Sequence, residues 1–151
     1  MLLYTRLKDT EICWAITGSM GMAIQGMDLE INDIDLQSDR EGAYEIQNLF
    51  PEYVTERVQL LERDITRSHF GRMDIMGVRV ELMGDMAHRD AGQGWGDPPD
   101  LSCLIHWVEF EDMKLPVMDL EHEYTAYQRL GRPEKAAKIR AFLDQRRKGP
   151  E

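Results

Sequence analysis

Short apolar segments alternate with segments of helical periodicity along the first part of the chain. Residues 12–16 form an apolar run of strand length, and a turn of small residues follows at positions 17–19. Residues 20–27 carry an apolar stripe at helical spacing, and residues 1–9 favour a short amphipathic helix that packs against a sheet. The chain is therefore predicted to begin with a helix, a strand, a tight turn and a second helix.

Residues 31–36 alternate with period two, which is the pattern of a half-buried strand. The alternation places Ile34 and Leu36 on the face that packs against a core, and Asp33 and Asp35 together on the opposite face. Two neighbouring carboxylates repel each other unless a cation lies between them, and carboxylate oxygens suit Mg²⁺. We therefore expect a divalent-metal site at Asp33 and Asp35.

The middle of the chain is predicted to contain a helix and a long loop. Residues 42–50 have helical spacing and end at Pro51, where a helix is expected to stop. Residues 51–62 fit one or two strands or a short helix, and residues 67–72 form a polar stretch. Residues 84–102 are rich in Gly, Pro and Asp and are predicted to form a loop. Such a loop is either a lid or acceptor-binding surface or an ordinary surface excursion.

A β-hairpin is predicted from residues 73–75 and residues 78–83. In its second strand, Glu81 lies between the apolar residues Val80 and Leu82. Its side chain therefore lies on the face of the strand opposite the one that carries Val80 and Leu82. If this strand pairs beside the strand that carries the two aspartates, a third carboxylate joins the site.

The last part of the chain is predicted to be a strand followed by two helices. Residues 104–111 alternate as a strand, and Asp119 is a suitable N-cap for a helix at residues 120–130. Gly131 ends that helix, and a second helix at residues 133–147 begins with a proline, as first helical positions often do.

Length and composition favour a single domain. The chain has 151 residues, of which 42% are hydrophobic, and such a chain can bury one good core but hardly two. We expect residues 1–118 to form a sheet-containing core and residues 119–148 to form the C-terminal helices of the same domain.

The net charge limits the partners. Eighteen basic and 28 acidic side chains give a formal charge of −10 at pH 7. Because such a surface repels polyanions, long nucleic acid is not expected as a partner. A single nucleotide remains compatible with this charge, since a bound metal ion reverses the local sign.

The cysteines and the apolar runs indicate where in the cell the protein is expected. Cys13 and Cys103 both lie in apolar surroundings, and they are expected to be free and buried thiols. The sequence has neither a recognisable signal peptide nor an apolar run long enough to span a membrane. The expected location is therefore the cytoplasm, with no membrane partner.

The turn at positions 17–19 can supply the phosphate-binding half of a nucleotide site. Backbone N–H groups at the start of a helix favour anions, and Gly18 allows a close approach of the backbone. Thirteen residues separate Ser19 from Asp33. With these two motifs the chain resembles the DNA-polymerase-beta-like nucleotidyltransferase superfamily, and the matching segments are Ile16-Thr17-Gly18-Ser19 and Asp33-Ile34-Asp35-Leu36.

This resemblance implies an α/β (α+β) nucleotidyltransferase fold, with a small mixed β-sheet flanked by helices and a C-terminal helical pair. It also implies that Asp33 and Asp35 hold Mg²⁺ or Mn²⁺, and that Ser19 and the Gly18 backbone hold the triphosphate of ATP or another NTP. In the resemblance, Glu81 completes the metal site and takes a proton from the attacking hydroxyl. The superfamily more commonly has Asp at this third position, so the longer Glu81 leaves retained catalysis open.

The end of the chain is similar to the ending of small bacterial nucleotidyltransferases of the lincosamide-modifying and abortive-infection type. The phrase that carries this similarity includes Leu115-Pro116-Val117 and Leu130-Gly131-Arg132-Pro133-Glu134-Lys135-Ala136. Arg132 and Lys135 lie near a helix start and could neutralise phosphate from the far side of a cleft. The alternative is that these basic residues simply face solvent.

Three functions follow from these patterns. The first is a metal-dependent transfer of a nucleoside monophosphate, with AMP favoured, from an NTP to a hydroxyl of a small molecule or a protein, with release of pyrophosphate. The second is an antitoxin-like interaction module of the same fold that binds a partner protein. The third is a degenerate fold that binds nucleotide without turnover. In the first case, the acceptor would bind at the loop of residues 84–102 or across a homodimer.

Overall fold

The computed structural model describes residues 2–90 and 92–148. Outside the described part lie residue 1 of the predicted N-terminal helix, residue 91 of the predicted loop, and residues 149–151 at the end of the predicted domain. None of the helices in the described ranges is long and apolar enough to cross a membrane. The elements follow in the order α1 (Leu2–Leu7), β1 (Trp14–Thr17), α2 (Gly18–Ile24), β2 (Ile34–Ser38), α3 (Arg40–Leu49), β3 (Val54–Glu62), β4 (Thr66–Ile75), β5 (Val78–His88), β6 (Ile105–Phe110), β7 (Met113–Met118), α4 (Leu120–Arg129) and α5 (Pro133–Lys148).

Seven strands of the described residues form one mixed sheet in the order β3-β4-β5-β2-β1-β7-β6. β2 pairs in parallel with β5, and β1 pairs in parallel with β7. The remaining neighbouring pairs are antiparallel. Helices flank this sheet, and α4 and α5 form a C-terminal pair. The predicted fold class, a small mixed sheet with flanking helices and a C-terminal helical pair, is confirmed.

Three apolar clusters hold the described elements together, and the two larger ones flank the sheet. The larger of these two clusters packs α1 and α3 against one face of the sheet, and it includes the buried side chains of Leu36 and Ile46. The smaller of these two clusters joins α2 to the C-terminal helices through residues such as Met22 and Ile139. Because side chains alternate along a strand, Asp35 points away from the face that carries Leu36. The side chain of Asp35 therefore lies on the side of the sheet where the C-terminal helices pack.

The predicted helices are present, with corrected limits. α1, α3, α4 and α5 lie within two residues of the predicted bounds. α2 begins at Gly18 rather than at residue 20, so the small-residue turn itself forms the first turn of the helix. Asp119 caps α4 as expected, since its Oδ2 accepts a hydrogen bond from the backbone N–H of His122 at 3.0 Å. The strand predicted for residues 31–36 is displaced, because β2 begins only at Ile34 and Asp33 immediately precedes it.

The predicted hairpin is confirmed, but both of its strands are longer than expected. The polar stretch of residues 67–72 belongs to β4, in which Ser68 and Gly71 are buried between more exposed neighbours. The loop predicted for residues 84–102 begins only after His88, so its first part is wrong. The reason is a β-bulge: the pairing between β4 and β5 shifts register, and Asp85 adopts a positive φ of 48°. The bulge lets β5 continue past Gly84.

Two other segments resolve into definite structure. Residues 51–62, which fitted several elements, form a single 3₁₀ turn at Pro51–Tyr53 followed by β3. Residues 113–118 form β7, although Pro116 is a residue that strands usually avoid. Pro116 is paired opposite Trp107 on β6, while Val117 pairs with Ile16 on β1. The prediction of a strand at residues 104–111 is confirmed as β6.

The cysteines are free thiols, as expected, but they are not both buried. Cys13 is half-buried, and burial raises the pKa of its thiol. Cys103 is exposed, so the expectation of a buried thiol is wrong there. It ends a 3₁₀ turn at Leu101–Cys103 in which the apolar Leu101 takes the buried position.

Candidate active site

The nucleotide turn, Thr17-Gly18-Ser19, lies where β1 ends and α2 begins. Gly18 has a φ of +66°, a backbone conformation that favours glycine. A Cβ atom on Gly18 would lie 2.6 Å from Asp35 Oδ2. The absence of a side chain at this position therefore lets the Asp35 carboxylate lie directly against the turn.

Asp35 lies at the centre of a row of polar side chains on neighbouring strands. It pairs in register with Thr17 on β1 and with Glu81 on β5. Because β2 and β5 are parallel and in register, Asp35 and Glu81 share one face of the sheet. Burial and the charges of Glu81 and Asp33 raise the pKa of Asp35 to about 6. The three predicted carboxylates are thus close enough for their charges to interact.

The oxygen ligands offered here fit a hard divalent cation whose coordination shell would be completed by a substrate. Asp33, Asp35 and Glu81 offer only carboxylate oxygens, which Mg²⁺ prefers. Within residues 2–90 and 92–148, no three His, Cys, Asp or Glu side chains are grouped as a preformed metal site. Mg²⁺ is commonly bound by one or two carboxylates together with phosphate oxygens, so a nucleotide would supply the missing ligands.

Glu81 also faces two guanidinium groups. Its Oε1 atom lies 3.7 Å from Arg72 Nε and 4.0 Å from Arg79 Nη1. Arg72 is the register partner of Glu81 on β4, and its Nη1 donates a 2.8 Å hydrogen bond to Glu56. Glu81 therefore lies between Asp35, its register partner on β2, and the guanidinium group of Arg72 on β4.

α5 brings a lysine to the nucleotide turn. Lys135 Nζ donates a 2.8 Å hydrogen bond to Ser19 Oγ. Burial and the nearby charge of Arg132 lower the pKa of Lys135. Both basic groups lie over the ring of Tyr127, at 5.0 Å for Lys135 Nζ and 5.4 Å for Arg132 Cζ. Ser19, Arg132, Lys135 and Lys138 line one cavity of about 470 Å³, in which Arg132 and Lys138 are exposed to solvent and Lys135 is half-buried.

Sequence reasoning missed one acidic residue of the site. Glu123 on α4 is only 4% exposed, and its carboxylate accepts hydrogen bonds from the Thr17 hydroxyl and from Gly18 N–H. Burial raises the pKa of Glu123 to about 7. The available signal was its position: Leu120, Glu123 and Tyr127 recur at the spacing of one helix face, so a carboxylate occupies an apolar stripe.

A second, smaller cavity lies next to the acidic row. It has a volume of about 180 Å³, and both Asp35 and Glu123 line it. Its other walls include methionines and polar side chains from β2, β4 and β5, among them Gln37, Met83 and His88. Burial lowers the pKa of His88 and favours its neutral form. The two cavities share Arg132 and border the nucleotide turn.

A mixed sheet that joins a Gly-Ser turn to Asp35 on the next strand, with Asp33 just before that strand, is typical of nucleotidyltransferase folds, and comparison with known proteins agrees with this class. The chain belongs to the family described as aminoglycoside-2''-adenylyltransferase, which it matches over residues 1–141. The resemblance to nucleotidyltransferases inferred from the sequence is confirmed.

Solved structures give the same result. The protein TM1012 from Thermotoga maritima, which carries a provisional description as a nucleotidyltransferase, is 44% identical, and the match covers 95% of this chain and 89% of that one, with a TM-score of 0.84. The lincosamide antibiotic adenylyltransferase LnuA, solved with lincomycin, matches at 12% identity over 91% and 90% of the two chains, with a TM-score of 0.55.

A third similar structure is ANT(2'')-Ia in complex with adenylyl-2''-tobramycin. It matches at 11% identity over 95% of this chain and 94% of that chain, with a TM-score of 0.55. At 11–12% identity, ANT(2'')-Ia and LnuA support the fold alone. A search of curated proteins found no significant match.

Proposed function

We propose that the protein is a metal-dependent nucleotidyltransferase that moves a nucleoside monophosphate, AMP in particular, from an NTP to a hydroxyl group and releases pyrophosphate. The hydroxyl belongs to a small molecule or to a protein. One observation carries the proposal: the Asp35 carboxylate lies against Gly18 of the nucleotide turn and in register with Glu81. A cation bound there would lie next to the phosphates of a nucleotide held at the turn.

Ser19, Lys135 and Arg132 are the proposed triphosphate ligands. Lys135 Nζ lies 2.8 Å from Ser19 Oγ, so one phosphate oxygen can accept hydrogen bonds from both groups. Arg132 lines the same cavity and adds a second positive charge. In a chain with a formal charge of −10, these local cations offset the repulsion between the protein and a triphosphate.

Asp33, Asp35 and Glu81 are the proposed ligands of Mg²⁺ or Mn²⁺. A divalent ion bound at these carboxylates would neutralise negative charge on the phosphate oxygens during transfer. The acceptor oxygen forms a bond to the α-phosphorus, the bond from that phosphorus to the oxygen shared with the β-phosphate breaks, and pyrophosphate leaves. Glu81 takes the proton of the attacking hydroxyl, while Arg72 holds the Glu81 carboxylate toward β4.

The choice of AMP is supported by the comparisons. The family that the chain matches is described by adenylyl transfer, and ANT(2'')-Ia was solved with an adenylylated product. We extend adenylyl transfer to this chain. The antibiotics named for LnuA and ANT(2'')-Ia support an acceptor that offers a hydroxyl group, and the proposal here goes no further than that.

Calorimetry of ATP binding with and without Mg²⁺ tests the proposal. We expect the wild-type protein to bind ATP at least about tenfold more tightly with Mg²⁺ than without it. The Asp33→Asn/Asp35→Asn variant should fold but lose this metal dependence, because its amides cannot hold a divalent cation as carboxylates do. Asp112→Asn is the matched control: it removes one exposed charge in the β6–β7 turn, where φ is 64° and Asn is tolerated.

Two results would contradict the proposal. Failure of the wild-type protein to bind ATP in the presence of Mg²⁺ would exclude nucleotidyl transfer by the isolated chain. Equal metal dependence in the wild-type and the double-Asn variant would show that the carboxylates are not the metal ligands. In the first case the antitoxin-like interaction module becomes the leading hypothesis, and its partner binding should tolerate the double-Asn change.

A further inference from the structure

We propose that Glu123 is a positioning residue of the nucleotide site, which fixes the Thr17–Gly18 segment from α4 and so determines where Ser19 and Asp35 meet the donor nucleotide. This inference rests on the proposed function. It concerns a residue whose carboxylate is hydrogen-bonded to the nucleotide turn and is not among the proposed phosphate or metal ligands.

Both hydrogen-bond donors to Glu123 belong to the nucleotide turn. The Thr17 hydroxyl donates to Oε1, and the Gly18 N–H donates to Oε2 at 3.4 Å. The two contacts span more than 100 residues of sequence. A single carboxylate on α4 therefore holds two consecutive residues at the end of β1.

The Thr17 hydroxyl does not make the hydrogen bond that an N-cap side chain usually makes with its own helix. Thr17 occupies the N-cap position of α2, where a threonine side chain ordinarily accepts a hydrogen bond from its own helix. Here its side chain makes no capping hydrogen bond and instead donates to Glu123. The first turn of α2, which presents Ser19, is thus oriented by a distant helix.

The Gly18 N–H is diverted as well. Because it donates to Glu123, this N–H is directed toward α4. The Gly18 backbone, which the sequence resemblance assigns to the triphosphate, is for this reason not among the phosphate ligands that we propose. The Asp35 carboxylate also lies against the same glycine, with its Oδ2 2.6 Å from where a Cβ would stand. A shift of the Gly18 peptide would therefore displace Asp35 as well as Ser19.

Stability alone does not account for a carboxylate at this position. Glu123 is 4% exposed, and removing a charged group from water is costly even when it is paired. Leu120 and Tyr127 already bury the same helix face of α4 in an apolar cluster. An apolar residue at position 123 would extend that cluster, whereas only a polar acceptor can hold the turn.

The test measures the affinity for MgATP by calorimetry and the melting temperature in parallel. Glu123→Met keeps the side-chain length and removes both acceptors, and we expect a loss of at least about tenfold in MgATP affinity. We expect its melting temperature to stay within about 5 °C of wild type, because relief of charge burial offsets the two donors left unpaired. Glu123→Gln can still bond to both groups, because its amide oxygen accepts from Gly18 N–H and its NH₂ group donates to the Thr17 hydroxyl, so it should bind MgATP within about threefold of wild type.

Thr17→Val and Gln47→Met complete the experiment. Thr17→Val deletes only the hydroxyl, so it should weaken MgATP binding, and combining it with Glu123→Met should add little further loss. It also keeps the test valid if Glu123→Met does not fold. Gln47, which is 5% exposed, accepts a 2.8 Å hydrogen bond from Val58 N–H at a distance from the site. Gln47→Met should lower the melting temperature and leave MgATP affinity unchanged.

The outcomes separate this inference from the proposed function. If the wild-type protein binds MgATP and Glu123→Met or Thr17→Val binds it equally well, the positioning role is wrong and the proposed function stands. If Glu123→Gln loses as much affinity as Glu123→Met, a neutral acceptor does not suffice and the inference is overturned. If the wild-type protein itself does not bind MgATP, the proposed function and this inference both fail.

Discussion

Gly18 meets two separate requirements at a single residue. Its φ of +66° is a conformation that side chains rarely adopt, and its missing Cβ leaves the space that the Asp35 carboxylate fills. Either requirement alone would select glycine here. Together they connect the conformation of the nucleotide turn to the position of a proposed metal ligand.

Gly18→Ala is therefore expected to reduce MgATP affinity at least about tenfold, because the new methyl group must displace Asp35 or the turn. Gly77→Ala is the matched control, since Gly77 also has a positive φ of 84° but has no atom within 4 Å of the position of its Cβ. It should cost about 1 kcal/mol of stability and leave the affinity unchanged. Calorimetry and thermal unfolding of both variants measure the difference, and equal affinities for the two would contradict the steric argument.

The residues of the site differ in how far sequence could reveal them. Asp33, Asp35 and Glu81 were found because strand alternation predicts which face a carboxylate takes, and their roles stay predictions. Lys135 was identified from its place near a helix start, but its hydrogen bond to Ser19 required the structure. Glu123 was missed because periodicity describes a helix face without saying what that face meets.

At the scale of elements, α4 determines how the C-terminal part of the chain reaches the sheet. Asp119 caps this helix, and the same carboxylate lies 2.9 Å from His106 Nε2 on β6. One acidic side chain thus ties the start of α4 to a strand at the edge of the sheet. The first turn of the helix, which carries Glu123, is the part held most directly by this cap.

Asp119→Ala should lower the free energy of unfolding by about 1 kcal/mol, because it leaves the His122 N–H without its acceptor. Asp119→Asn keeps a capping oxygen and should lose clearly less. Urea unfolding followed by circular dichroism compares the two variants with the wild type. A loss that is equal for alanine and asparagine would assign the effect to the contact between the Asp119 carboxylate and His106 instead of the cap.

The strands show why the remaining elements escaped prediction. Helix limits could be predicted from spacing, proline and N-cap signals, which are local. Residues 67–72 of β4 were taken for a polar stretch because many of their side chains are polar, and β7 carries a proline that argues against a strand. β4 is held by pairing with its sequence neighbours β3 and β5, and β7 is held by pairing with β6 and with the distant β1. These cross-strand contacts are not visible in the local sequence pattern, and the bulge at Asp85 is likewise a product of the pairing between β4 and β5.

At the scale of the whole molecule, the protein carries an excess of acidic groups, and at least two of them lie where their charged form is disfavoured. The formal charge is −10. The pKa values of Asp35 and Glu123 are raised mainly because folding buries these carboxyl groups away from water. The absence of long nucleic acid among the partners, the single domain and the cytoplasmic location stay predictions. The pH dependence of stability is a direct consequence of the buried charge.

The stability of the protein without nucleotide or metal is expected to fall as the pH rises from about 5 to about 8. Folding raises the pKa of Glu123 from 4.5 to about 7, so the folded state binds its proton more tightly than the unfolded state. The contribution is complete below pH 4.5 and is lost as the pH rises through 7. Relative to Glu123→Gln, wild type should lose about 3 kcal/mol of unfolding free energy over this range.

Urea denaturation of both proteins at several pH values measures this difference, since the other titrating groups are common to them. A constant difference in unfolding free energy between pH 5 and 8 would show that Glu123 does not change its protonation on folding. A difference of opposite sign would mean that the folded protein stabilises the charged carboxylate.

The contacts that complete the nucleotide turn also impose an order on biosynthesis. Thr17, Gly18 and Ser19 emerge early from the ribosome, but their partners Glu123 and Lys135 are translated more than 100 residues later. During elongation the nascent turn has neither its carboxylate nor its lysine. If the turn binds a nucleotide as we propose, capture by the growing chain has to wait until α4 and α5 have been translated.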